Sequence, residues 1–285
     1  MIVVSDTAAL AEHLGPLRHS TDTIAFVPTM GNLHDGHLAL VNQARAAADA
    51  VVVSIFVNPM QFAAHEDLES YPRTLDDDLS ALRETGVDLV LTPRADDFYP
   101  DTSARHTAIH VPVLGDALCG KDRPGHFDGV CTVVYKLFRL VEPDIAVFGE
   151  KDLQQLLIIK KMVADLSLPI DIQSGAIQRA EDGLALSSRN KYLSASERAV
   201  APLLWQTLQS CAATLTTTPN CEPASIIDPA RETLEQAGFT VDYLELRELS
   251  TLQLVDSGDQ DCALFVAARL GDTRLIDNIK LAASS

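Results

Sequence analysis

The stretch from Ile24 to Ala50 constrains this chain more than any other. It opens with IAFVPTM, an apolar run ending in Pro-Thr-Met that reads as a short strand buried on both faces. Apolar residues then recur at helical spacing at Leu38, Val41, Ala44 and Ala48, so a helix follows. The turn between them, GNLHDGH, holds two glycines and two histidines. Gly31 and Gly36 let the backbone adopt φ > 0 and pass close to a ligand at little cost. His34 and His37 are three residues apart, and with a helix beginning near Asp35 they share one face of its first turn. A helix N-terminus presents free N–H groups and the positive end of a dipole, so this turn suits an anion, and two imidazoles on its rim add donors aimed at a phosphate. Taken alone, the same residues also read as a solvated turn whose glycines only cap the helix.

Strand-like and helix-like segments alternate from the N-terminus to Gly175. Val3–Val4, Ile24–Val27, Val51–Val57, VDLVL (87–91), DIAVFG (144–149) and PIDIQSG (169–175) read as strands. Helices are expected over Thr7–Leu14, 74–85, 130–141 and the run LQQLLIIKKMVADL, with a Gly- and Pro-rich loop over 115–129. Strands spaced by helices imply βαβ units, hence an α/β domain with a doubly wound, parallel, Rossmann-like sheet over residues 1–176. Ligands of such sheets bind beyond the carboxyl ends of the strands. After Gly175 the pattern changes to a helix over 195–215, a loop TTTPN (216–220), a helical stretch to Ala237 and strands near 239–247 and 262–269. Residues 177–285 therefore read as a smaller α+β lid domain.

Bulk properties narrow the function. Forty acidic against 22 basic residues give a formal net charge of −18, and no basic stripe is visible that could release counterions from a nucleic-acid backbone. The partners expected are small molecules, not nucleic acid. Five cysteines are scattered without a C-x-x-C pair, which fits reduced thiols and a cytoplasmic location better than a disulfide framework or zinc site. The first residues, MIVVSDTAALAEHLG, lack the basic start of a signal peptide, and the longest apolar run, AVVVSIFV, is far short of the ~20 residues of a membrane helix. A soluble protein without a membrane partner is expected.

Four further motifs lie at strand ends. IFVNPMQF (55–62) places Asn58 and Gln61 just after a central strand; both are neutral groups that donate and accept, suited to the hydroxyl and carboxylate of a hydroxy acid, although Asn-Pro alone is also a common turn. FGEKD (148–152) runs from a strand into a helix. Asp152 followed by Gln155 satisfies a capping-box pattern, yet Lys151 sits where the helix dipole disfavours a cation, a placement that makes sense if phosphates share the spot. GLALSSRNKYL (183–193) aligns Ser187, Ser188, Arg189 and Asn190 as either a phosphate clamp or a polar turn. The acidic run in YPRTLDDDL (71–79) reads as a solvated helix N-terminus or as carboxylates for magnesium, and RPGHFDGV (123–130) leaves His126 without a role.

HDGH after a strand matches the His-x-Gly-His signature of the nucleotidyl-transferring α/β-phosphodiesterase superfamily. The longer string PTMGNLHDGH, with IFVNPMQF, GEKD and Gln155, LSSRN and ARLGDTRLIDN (268–278) in order, resembles the pantothenate synthetase (pantoate–β-alanine ligase) family over nearly the whole chain. That resemblance implies ATP-dependent ligation of (R)-pantoate to β-alanine through a pantoyl adenylate, with release of AMP and pyrophosphate. It implies ATP contacts at Met30, Gly31, Asn32, Leu33, His34, Asp35, Gly36, His37, Gly149, Glu150, Lys151, Asp152, Gln178 (adenine, through the backbone), Leu186, Ser187, Ser188 and Arg189. Pantoate falls to Asn58, Gln61 and Gln155, with β-alanine also reaching Gln61. His34, His37 and Lys151 are the implied catalytic residues, His37 as proton donor. Mg2+ is expected with ATP, its protein ligands unknown, and a homodimer is implied. The competing reading is a nucleotidyltransferase of the same superfamily that keeps the nucleotide on its product; its acceptor pocket would need cations for a phosphorylated substrate, where 55–62 offers only neutral groups.

Overall fold

The computed structural model describes residues 1–20, 23–63, 66–99, 106–218, 221–256 and 261–281. In chain order these form β1 (Ile2–Val4), α1 (Thr7–Ser20), β2 (Ile24–Thr29), α2 (Asp35–Ala47), β3 (Ala50–Ile55), α3 (Leu75–Glu84), β4 (Leu89–Leu91), the single turns α4 (Ala95–Phe98) and α5 (Cys119–Asp122), α6 (His126–Val141), β5 (Ile145–Gly149), α7 (Leu153–Asp165) and β6 (Asp171–Gly175). The C-terminal domain adds α8 (Ala195–Val200), α9 (Leu203–Thr217), α10 (Ala224–Gln236), β7 (Phe239–Glu248), β8 (Cys262–Leu270) and β9 (Thr273–Leu281).

Among the described residues, β1 to β6 make one parallel sheet in the order β1-β4-β3-β2-β5-β6. Val27, Val51, Val53 and Val90 bury one face with α2 and α3, while Phe26, Val52, Leu89 and Phe148 bury the other with α1, α6 and α7. Burial on both faces is why these strands are continuous β-branched runs without alternation. From β2 the chain winds outward through β3 and β4, then returns to place β5 on the other flank of β2. The order reverses between β2 and β5, which makes the crevice beyond their carboxyl ends the topological switch point of the sheet. HDGH follows β2, and GEKD follows β5.

Several expected boundaries move for identifiable reasons. α1 continues through Gly15–Pro16 to Ser20 because its end is held from outside: Arg18 donates to the carbonyls of Val141 and Glu142 at the C-terminus of α6. α6 begins at His126, inside the stretch expected to be loop. Its Gly129 lies against the backbone of Met60, where a Cβ would come within 2.3 Å of the carbonyl oxygen, so the glycine marks close approach and not a break. The helix expected over 195–215 is divided at Pro202, which has no N–H to donate. Of the loop expected at 216–220, Thr216 and Thr217 belong to α9, and Pro219 and Asn220 lie outside the described residues.

β7, β8 and β9 form an antiparallel sheet backed by α9 and α10. No strand is expected from sequence at β9, because buried Asp277 and Asn278 break its alternation. None of the five cysteines forms a disulfide. No described helix is long and apolar enough to cross a membrane.

Candidate active site

The HDGH turn is a capping box built from imidazoles. His34 is the N-cap of α2, and its Nδ1 accepts from the Gly36 N–H at 3.1 Å; His37, at the third helical position, accepts from the His34 N–H at 3.3 Å through its own Nδ1. An Nδ1 that accepts carries no proton, so the N–H of each ring is assigned to Nε2. Burial, with Lys151 next in weight, lowers the pKa of His34 to about 4. Burial, with His34 second, lowers that of His37 to about 3. These shifts leave both rings uncharged at neutral pH, each with an Nε2–H that can donate a hydrogen bond.

Behind the turn stands Asp78, 3% exposed, whose Oδ2 accepts from the Asn32 N–H at 2.9 Å and whose Oδ1 accepts from the Leu33 N–H at 2.8 Å and the Thr74 hydroxyl at 3.1 Å. Gly31 passes so close to this carboxylate that a Cβ would lie 3.0 Å from it, at a φ of +81°. Of the acidic run, then, Asp76 and Asp77 are exposed, while Asp78 anchors the backbone that carries the histidines.

Opposite the histidines, Gln61 ends a single 3-10 turn at Pro59–Gln61. Asn58 caps that turn and is 1% exposed: its Oδ1 accepts from Met60 N–H at 3.3 Å and the Tyr99 hydroxyl at 3.0 Å, and its Nδ2 donates to Gly129 O at 3.1 Å and Gln61 Oε1 at 3.2 Å. Asn58 is therefore spent on structure. Its bond to Oε1 turns the amide of Gln61 so that Nε2 donates one hydrogen to Met30 Sδ at 3.1 Å, leaving the second for a carboxylate. The GEKD segment forms a 3-10 turn before α7. Asp152 makes no side-chain cap, so the expected capping box with Gln155 does not form, and both side chains line the cavity. Lys151 lies beside Asp152 at 4.0 Å, and its carbonyl and that of Glu150 accept from Asn278 Nδ2 of β9 at 3.1 and 2.8 Å.

The SSRN segment closes the site from the C-terminal domain. Ser188 Oγ donates to Asn32 O at 3.1 Å and Lys191 Nζ to Asn32 Oδ1 at 2.7 Å. Arg189 grips Asp67 with both ends of its guanidinium, at 3.0 and 2.9 Å. Between these parts lies a cavity of about 220 Å3, walled on its apolar side by Phe56, Phe148 and the α6 stripe Val130, Val133, Val134 and Leu137. It adjoins a larger cleft of about 750 Å3 between the domains, the two sharing Lys151, Asp152, Gln155, Ser187 and Arg189.

Residues 2–280 match the model of the family described as pantoate-beta-alanine ligase. The chain belongs to this family. It is 52% identical to the pantothenate synthetase of Chromohalobacter salexigens over 279 residues, 98% of either chain, and 50% identical to that of Pseudomonas fluorescens over 281 residues, 99% of this chain and 98% of the other. Among solved structures, the pantothenate synthetase of Thermus thermophilus superposes with a TM-score of 0.90 at 41% identity, covering 98% of this chain and 99% of that one. The pantoate-beta-alanine ligase of Francisella tularensis, solved with beta-gamma ATP and beta-alanine, gives 0.82 at 32% identity, covering 98% and 97%.

Of the site residues expected in this pantoate–β-alanine ligase, the smaller cavity gathers Met30, His34, Gly36, His37, Asn58, Gln61, Gly149, Lys151, Asp152, Gln155, Gln178, Leu186, Ser187, Ser188 and Arg189. Gly31, Asn32, Leu33, Asp35 and Glu150 do not line it. Asn32 and Leu33 give their N–H groups to Asp78, and Glu150 pairs with Lys280 at 2.6 Å. Sequence reasoning missed Asp67, Asp78, Lys191 and Asn278. Asp78 fell within the acidic run already singled out, but only the packing of α3 tells it from Asp76 and Asp77.

Proposed function

We propose that this ligase activates (R)-pantoate as pantoyl adenylate and then transfers the pantoyl group to β-alanine. A carboxylate is a poor acylating agent because oxide does not leave. Its attack on the α-phosphorus of ATP forms the acyl–phosphate bond and expels pyrophosphate; the β-alanine amine then attacks the carbonyl carbon and AMP leaves. No protein nucleophile is needed. The protein has to align two anions and stabilise the charge that grows at phosphorus.

The observation that carries this reading is the make-up of the cavity at the switch point. On one wall stand two neutral Nε2–H donors and Lys151 at helix N-termini, a phosphate-binding arrangement. On the other stand Gln61 and Gln155, neutral amides that hold a hydroxy-acid carboxylate without a competing charge, beside an apolar wall that takes the two methyl groups of pantoate. His34 and His37 donate to the phosphates, Lys151 and Ser187 hold the triphosphate, and Gln178, whose carbonyl already accepts from Leu186 N–H at 2.9 Å, offers its backbone N–H to adenine. Arg189 reaches phosphate by exchanging Asp67 for it. Among the described residues no three His, Cys, Asp or Glu side chains converge as a metal cage. Mg2+ brought in with ATP would neutralise charge on the phosphates, beside Lys151 and Ser187. Residues 177–285 act as the lid that keeps water from the adenylate, and the enzyme works in the cytoplasm as a homodimer.

The test is AMP release from ATP, Mg2+ and pantoate, with and without β-alanine. AMP matching the β-alanine consumed is the expected result. Pyrophosphate without AMP in either tube, with the nucleotide on an isolable product, identifies a nucleotidyltransferase instead and overturns the assignment of Gln61.

A further inference from the structure

On the ligase reading Gln61 donates to pantoate, and it ends a 3-10 helix of a single turn. Its backbone carbonyl is tied down from α6. His126, the first residue of that helix, has Nδ1 2.8 Å from Gln61 O, and Arg123 Nη2 approaches the same oxygen at 3.4 Å. A carbonyl only accepts, so the proton of the ring is on Nδ1 and Nε2 is bare. Nε2 in turn accepts from Arg123 Nη1 at 3.0 Å. Arg123 is closed off by Glu66, Nε to Oε1 at 2.5 Å and Nη2 to Oε2 at 2.6 Å, and Glu66 Oε2 also accepts from Ala63 N–H at 3.3 Å. The result is a continuous relay from a carboxylate through a guanidinium and a neutral imidazole to the Gln61 carbonyl. It pins both ends of the segment from Gln61 to Glu66 onto the start of α6. Gly129, one turn further along α6, makes the approach possible.

We propose that the Glu66–Arg123–His126 relay sets the position of Gln61, which makes His126 a positioning residue for the hydroxy-acid pocket. The inference rests on the ligase reading above. None of the three side chains lines the smaller cavity; all three line the neighbouring cleft, so they act on pantoate through Gln61. The relay is static across the neutral range. Burial, then Arg123, lowers the pKa of His126 to about 4. Burial acts to raise that of Glu66, but the bonds from Arg123 outweigh it and hold the carboxyl below its ordinary value.

The experiment compares His126→Ala with His126→Asn, whose Nδ2 can replace the Nδ1 donor. Pantoate-dependent AMP release by the unmodified enzyme is measured first, so that failure of the ligase reading shows separately. Loss of one neutral hydrogen bond predicts a rise of about five- to tenfold in the KM for pantoate in His126→Ala, with the KM for ATP within about twofold. His126→Asn should return the pantoate KM to within about threefold of the original. A parallel rise in both KM values, or an Asn variant as impaired as Ala with an unchanged melting temperature, overturns the proposal. Should the Ala variant not fold, Glu66→Gln, which keeps the shape and removes the charge, decides: a selective two- to threefold rise in pantoate KM supports the relay, and no rise refutes it.

Discussion

Acidification should destabilise this ligase through its histidines before most of its carboxylates titrate. In the folded chain His34 and His126 protonate near pH 4 and His37 near pH 3, against 6.5 for the free side chain. Folding therefore favours the neutral rings. Their contribution is complete above pH 6.5 and is lost as pH falls towards 4, because there the unfolded chain binds more protons than the folded one. Between pH 6.5 and 5 His37 and His126 each lose on the order of 1–2 kcal/mol of stabilisation, the partly exposed His34 less because water screens it, and the three together on the order of 3–4 kcal/mol. That is a large fraction of the whole stability of many domains, ~5–15 kcal/mol. Glu66 and Glu150, held low by Arg123 and Lys280, act in the same sense at lower pH. His110 opposes them weakly: its hydrogen bond to Asp128 raises its pKa at an exposed site, so its contribution is present below pH 6.5 and fades above it. The assay is urea unfolding at pH 6.5 and 5.0, followed by Trp205 fluorescence and by far-UV circular dichroism, whose transitions must coincide. The unmodified protein should lose on the order of 3–4 kcal/mol and His126→Asn about 1–2 kcal/mol less. A loss below about 1.5 kcal/mol in the unmodified protein, or an unchanged slope in the variant, refutes the reasoning.

Three substitutions probe the site itself. On the proposed mechanism His37→Ala should slow pantoyl adenylate formation ~10²–10³-fold; a fall of less than about fivefold in single-turnover pyrophosphate release would remove its assigned role as a phosphate donor. Asp78→Asn turns one acceptor of two buried N–H groups into a donor facing them, and should cost ~2–4 kcal/mol of stability and lower kcat at saturating ATP; unchanged melting and unchanged kcat together contradict the anchoring role. Gly129→Ala drives a methyl to within 2.3 Å of Met60 O, so α6 must shift. It should cost ~1–3 kcal/mol and raise the KM for pantoate above that for ATP, and a variant as stable and as active as the parent would show that the helix has room to spare.

Much of this site was legible because its signals are local. The strand, the glycine turn and the helix of Ile24–Ala47 are adjacent in sequence, and each has its own periodicity. GEKD announced itself by a lysine in the wrong place for a helix dipole. Asn58 could be read as a ligand or as a turn residue, and folding decided for the turn, since all of its hydrogen-bonding capacity goes to Met60, Gln61, Gly129 and Tyr99.

What the sequence alone determined is the alternation of strands and helices up to Gly175 and the residue types placed at the strand ends, because periodicity, turn residues and helix-terminal charge act over a few residues. Tertiary structure decided which member of each set is used. Asp76, Asp77 and Asp78 are chemically identical, and only the packing of α3 buries the third against the backbone at 32–33. His126 had no role until α6 brought it to a carbonyl 65 positions away. Asn278 reaches the GEKD backbone across 128 and 127 positions. Bonds of this kind leave no local pattern, because the partner that gives each residue its meaning is supplied by the fold.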